Sequence, residues 1–150
     1  MKIIGLSCFY HDSAACLLEN GVITEAVQEE RFTRIKHDSN FPLHSIGYIL
    51  KKYNLSLDEI DYVVFYEKPF LKFERLLETY VAKAPRGFLS FKTSMPIWLR
   101  DKLFQKKLII DELKKFPSKK IDKNKILFSE HHFSHAASAF FPSPFEEAVV

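Results

Sequence analysis

The sequence predicts an α/β domain built on a mixed sheet of five or six strands, with helices covering its faces. Three observations predict it. Apolar runs of strand length open the chain and recur at 61–66 and 126–129. The stretches 70–84 and 97–116 carry apolar residues at helical spacing. Asn20-Gly21 lies between two of the early runs and signals a tight hairpin, so the first strands are antiparallel. The order β-β-β-α-β-α-α-β-α-β then calls for right-handed crossovers among the later strands.

Each element has a local reason. Residues 2–9 and 13–18 read as strands, separated by a polar turn at Tyr10–Ser13, and Val22–Val27 returns as a third. Residues 28–42 are polar and read as a loop with at most a helical turn. Ile46, Ile49, Leu50 and Tyr53 recur at helical spacing over 43–53, with Pro42 at the start. Ser56 caps a short turn through Ile60, and Asp61–Tyr66 is a strand. Phe73, Leu76, Leu77, Tyr80, Val81 and Ala84 mark an amphipathic helix over 70–84 that Pro85 ends. Residues 88–96 read as irregular, closed by Met95-Pro96, with a further helix over 97–116. Pro117–Lys125 is a Lys-rich loop, 126–129 a strand, His131–Phe141 a helix and Glu147–Val150 a last strand.

Composition limits the class. The 150 residues are 47% hydrophobic and 15% aromatic, enough for a core and unlike a disordered chain. No apolar run approaches the ~18 residues of a membrane-spanning helix. The N-terminus reaches Tyr10-His11-Asp12 too soon for a signal peptide, so the expected compartment is the cytoplasm. The net charge of +3 is uneven, because residues 100–125 hold ten Lys/Arg against four Asp/Glu. That segment reads as a solvated helix face, with no nucleic-acid or membrane partner expected. Cys8 and Cys16 fit neither a CxxC nor a zinc knuckle and read as small buried hydrophobes.

Three stretches could carry chemistry. In Ser129-Glu-His-His-Phe-Ser-His135, His131 and His135 are four apart, which puts two imidazoles on one helix face. They could converge on a cation, or cap the helix and bond locally; His132 could pair with His135 in place of His131. The Glu-first order is not the His-Glu-x-x-His motif, and two ligands do not complete a site. His11-Asp12-Ser13 lies at a strand-to-strand turn, where His11 could act as a general base oriented by Asp12, or the segment could be a plain turn. Arg31, Arg34 and Lys36 sit among Glu29, Glu30 and Asp38, able to hold an anion or to pair within the loop. No P-loop, G-x-G-x-x-G or G-x-S-x-G is present.

Four blocks in order, Gly5–Gly21, Glu29–Asp38, Phe65–Pro69 with Phe73–Tyr80, and Glu130–Pro144, resemble the O-carbamoyltransferases of the nodulation-factor and antibiotic-tailoring type. The resemblance implies an actin-like, ribonuclease H-like ATPase fold, whose β-β-β-α-β-α-β order agrees with the one above. It implies transfer of a carbamoyl group, from a carbamoyl-adenylate made of carbamoyl phosphate and ATP, to an acceptor hydroxyl. It implies a divalent metal, iron first and zinc second, with His131 and His135 as ligands. It places His11, with Asp12 beside it, at the carbamoyl group, and Lys36 with Arg34 on the anion-binding surface. The chain is then expected to be the N-terminal part of the actin-like domain, inactive alone, with homodimerisation an option for the full-length form. It is expected to leave apolar surface open near its last strand. A non-catalytic metal- or nucleotide-binding module and an actin-like sugar kinase are the alternatives.

Overall fold

Five strands form one mixed sheet in the order β3-β2-β1-β4-β5. The computed structural model describes residues 1–118 and 121–149, and only the backbone of 70–72 and 97–103. Strands β1 (Lys2–Ser7), β2 (Ala14–Glu19) and β3 (Val22–Gln28) make the expected antiparallel meander. Asn20 and Gly21 turn it with φ of 52° and 87°, the left-handed pair that a two-residue hairpin needs. Strands β4 (Tyr62–Phe65) and β5 (Ile126–Phe128) run parallel to β1, with Ile3 opposite Tyr62 and Val63 opposite Ile126. Between β1 and β2, Gly5 faces Cys16, and a Cβ at position 5 would lie 2.6 Å from the Cys16 Sγ. Burial raises the Cys16 thiol pKa, so it stays a neutral packing group.

The crossovers supply the helices. α1 (Glu30–Thr33) is a single turn, and α2 (Leu43–Lys52) leads back towards β4. A 3-10 turn at Leu57–Glu59 is closed by the capping box of Ser56 and Glu59. α3 (Pro69–Lys83), α4 (Phe88–Leu103) and α5 (Gln105–Leu113) lie between β4 and β5, and α6 (His131–Phe140) follows β5. The core joins Ile4, Leu6 and Leu17 of the meander to Ile46 and Ile49 of α2, Phe65 of β4, Ile109 and Leu113 of α5, and Ile126. Lys114 and Lys115 pair with Asp111 and Glu112 at 2.7 Å, as a solvated helix face does. The loop positions 119–120 of the basic segment lie outside the described residues.

Three expectations need correction. Residues 88–96 are helical, not irregular, because α4 runs through Pro96. Proline removes one backbone donor there without forcing an end, and Pro96 faces solvent. The single helix expected over 97–116 is broken at Phe104 (φ −92°, ψ 8°), so that α5 can bury Gln105, Ile109, Ile110 and Leu113. The expected last strand does not form over 147–149, with Val150 outside the described residues. A strand exists by pairing, and these residues lie on no ladder of the sheet. The apolar stripe of α3 is also more open than a core helix, with Val81 69% exposed, while Tyr80 packs edge-on against Phe91 of α4.

Candidate functional site

The carboxyl ends of the parallel strands β1, β4 and β5 lie along one edge of the sheet, the usual place for a ligand in an open α/β sheet. After β1 the chain runs through Phe9–Asp12, after β4 through Tyr66 and Glu67, and after β5 into α6. The loop after β1 therefore carries His11 and Asp12 to the edge where α6 carries His131 and His135.

The first cluster is built by two loops. Phe9 N–H donates to the Ser39 carbonyl and Ser13 N–H to the Asp38 carbonyl, both at 2.8 Å. The Ser13 hydroxyl donates to the Asn40 carbonyl at 2.5 Å. On this frame the Asp12 carboxylate takes His11 Nδ1 at 2.7 Å on one oxygen and His37 Nδ1 at 3.0 Å on the other. The His37 hydrogen bond, then that of His11, holds the Asp12 carboxyl below the usual carboxylate range. An Nδ1–H given to a carboxylate leaves Nε2 with the lone pair, the form a general base requires. Arg34 and Lys36 stand exposed on the same second loop.

Beneath that loop lies a group whose role sequence reading missed. Glu29 is 2% exposed and accepts hydrogen bonds from His44 N–H (2.9 Å), His44 Nδ1 (2.7 Å), Ser45 N–H (2.8 Å) and Ser45 Oγ (2.6 Å). It thus closes the N-terminus of α2 from outside the helix. Burial pushes its carboxyl up, but the Ser45 and His44 hydrogen bonds outweigh this and its pKa falls below 4.5. The loop-pairing alternative therefore does not hold for Glu29, whose partners are on α2.

The second cluster is the histidine pair. One turn apart on α6, His131 and His135 bring their Nε2 atoms to 3.2 Å. With metal–nitrogen bonds of about 2.0–2.1 Å, that separation subtends about 100° at a shared ion, so the pair fits part of a tetrahedral or octahedral set. Among the described residues, no group of three His, Cys, Asp or Glu side chains could hold a metal. His132 is exposed and points elsewhere on the helix, so the four-residue pair is the one brought together. The helix is tied to the sheet by Ser134 Oγ on the Tyr66 carbonyl (2.9 Å) and by Ser129 N–H on the Phe65 carbonyl (2.8 Å).

Tyr66 follows β4, the strand that lies between β1 and β5 in the sheet. Its ring centroid is 5.6 Å from that of His131, and Tyr10 packs on His11 at 4.6 Å. Burial first, then the nearby Glu67, Cys8 and Tyr10, push the Tyr66 phenol up to about 12. It is a neutral wall of the site, not an acid or base at physiological pH. The surface beside α6 is apolar and open: Phe133, Phe141 and Phe145 are each more than 60% exposed. No helix among the described residues is long and apolar enough to cross a membrane.

Comparison with known proteins agrees with the four-block resemblance. The family model described as carbamoyltransferase N-terminus matches residues 2–150. The uncharacterised protein sll1178 of Synechocystis sp. is 57% identical over 99% of this chain and 24% of its own length. The nodulation protein NolNO of Sinorhizobium fredii is 34% identical over 95% of this chain and 19% of its own. The uncharacterised protein MJ1058 of Methanocaldococcus jannaschii is 30% identical over 97% of this chain and 29% of its own. The chain spans 19% to 29% of the length of these relatives.

Proposed function

Since this chain belongs to the carbamoyltransferase family through the N-terminal domain of that family, we propose that it is the N-terminal part of an O-carbamoyltransferase with an actin-like fold. The whole protein makes carbamoyl-adenylate from carbamoyl phosphate and ATP, and this part helps pass the carbamoyl group to an acceptor hydroxyl in the cytoplasm. The strand order β3-β2-β1-β4-β5, with an antiparallel meander and two parallel crossovers, supports the actin-like half.

The chemistry assigns each side chain a task. His11, with its Nδ1 on Asp12, takes the proton of the acceptor hydroxyl at Nε2. The acceptor oxygen bonds to the carbamoyl carbon, the bond from that carbon to the phosphate oxygen breaks, and AMP leaves with the electron pair. Asp12 stabilises the imidazolium that forms. Lys36 and Arg34 hold the phosphate. His131 and His135 would hold a divalent cation, Fe2+ first and Zn2+ second. When bound, the cation supplies positive charge against the oxyanions of the adenylate and its transition state.

One observation carries this reading: an aspartate-oriented His11 and two converging imidazole nitrogens follow the carboxyl ends of β1 and β5, the two strands that flank β4 in the sheet. The test is ATP-dependent carbamoyl transfer by the whole protein, with metal content measured alongside. His135→Ala is expected to lower both the bound metal and the rate, the rate by at least ~10²-fold. A purified whole protein that turns over no carbamoyl phosphate with ATP and any hydroxyl acceptor would overturn the reading.

A further inference from the structure

Four residues other than Asn and Gly take positive φ among the described residues: Phe9 (69°), Asp12 (49°), Arg34 (60°) and His37 (57°). All four lie in the two loops that carry His11 and Lys36. Such backbone is strained and persists only where the surroundings over-determine it. Here three inter-loop hydrogen bonds, from Phe9 and Ser13 to carbonyls of residues 38–40, supply the surroundings. The left-handed turn at His37 brings its Nδ1 to the outer oxygen of Asp12, across 25 positions of sequence.

We propose that His37 is a positioning residue for carbamoyl transfer, setting the orientation and tautomer of His11 through the shared Asp12 carboxylate. The inference rests on the carbamoyl-transfer reading for its chemistry and on geometry for its mechanism. A carboxylate held by one neighbour can swing about its Cβ–Cγ bond. With Oδ1 held by His37, Oδ2 stays on His11 Nδ1, and the Nδ1–H tautomer that this contact favours leaves the lone pair on His11 Nε2. His37 is 64% exposed, so the contact adds little to folding stability. Its effect is expected on the reaction. Lys36 is the chain neighbour of His37, so the same contact ties the backbone of the Lys36 segment to the His11 loop.

The test uses the whole protein and three variants. His37→Ala should lower kcat roughly 10-fold, as loss of an outer partner of a functional histidine does, with KM for carbamoyl phosphate changed less than about twofold. His37→Asn, which keeps an N–H donor and tolerates positive φ, should recover most of the rate. In an Asp12→Asn background, His37→Ala should cost nothing further, because the path runs through that carboxylate. Nitrogen-15 shifts of labelled His11 should report the Nδ1–H tautomer in the wild type and a tautomer mixture in His37→Ala. A shifted tautomer in a protein without carbamoyl transfer would sink the reading of function and leave the His37 device standing. An unchanged tautomer, an unchanged kcat, or a full additive loss in the Asp12→Asn background would overturn the device itself.

Discussion

Helices α2 and α6 have ten residues each and are used in opposite ways. α2 buries Ser45, Ile46, Ile49 and Leu50, and its N-terminus is held by the buried Glu29. α6 buries none of its residues and touches the sheet chiefly through Ser134. The loops around His11 and His37 lean on the α2 side, while His131 and His135 ride on α6. One half of the candidate site is thus framed by this chain's own core. The other half sits on a helix flanked by exposed Phe133, Phe141 and Phe145, a surface of the kind that a further packing layer covers.

The contrast can be broken by unfolding experiments. The largest effect is expected from Ile49→Ala, at about 2–5 kcal/mol in urea denaturation, because Ile49 has no exposed surface and α2 cannot collapse around the void. Gly5→Ala follows at about 1–3 kcal/mol, since the new methyl meets the Cys16 Sγ. Cys16→Ala in the same chain should return much of that loss, and a cycle without coupling would exclude the thiol as the obstacle.

Glu29→Gln comes next, at about 1–2 kcal/mol near neutral pH. The folded pKa of Glu29 lies below its ordinary 4.5, so the carboxylate stabilises the fold above 4.5 and loses that contribution as pH falls through the lowered value. Wild type and the Glu29→Gln variant should therefore converge in stability under acid, and a gap that widens there would contradict the assignment. Phe133→Ala should move stability by less than about 0.5 kcal/mol. If it cost as much as Ile49→Ala, α6 would be a core helix and the comparison would fail.

Much of this was legible in the sequence, and the failures are instructive. Asn20-Gly21 fixed the meander because the turn needs two positive φ values in adjacent residues. Apolar periodicity located α2 and α3, although it did not say that Val81 would stay exposed, since a stripe names no partner. Pro96 misled because proline usually closes a helix, yet an exposed proline can sit inside one. Glu147–Val149 misled because strand character lies in pairing and not in the segment. At the site, His131 and His135 were readable from a spacing of four. The contacts of Asp12 with His37 and of Glu29 with Ser45 were not, because each joins loops or elements 16 or more positions apart.

The mixed sheet sets an order of assembly. β1 meets β2 across one short turn, but Ile3 meets Tyr62 only after 59 intervening steps of chain, and Val63 meets Ile126 after another 63. Hairpins close in microseconds, whereas distant parallel pairings wait on the closure of long loops. The meander should therefore gather first, bringing the His11 loop with it, and the histidine pair should be the last part of the site to arrive. Pulse-labelled hydrogen exchange during refolding should find the amides of β1–β3 protected before those of β4 and β5. Protection of β5 ahead of β2 would show that the late half nucleates the fold.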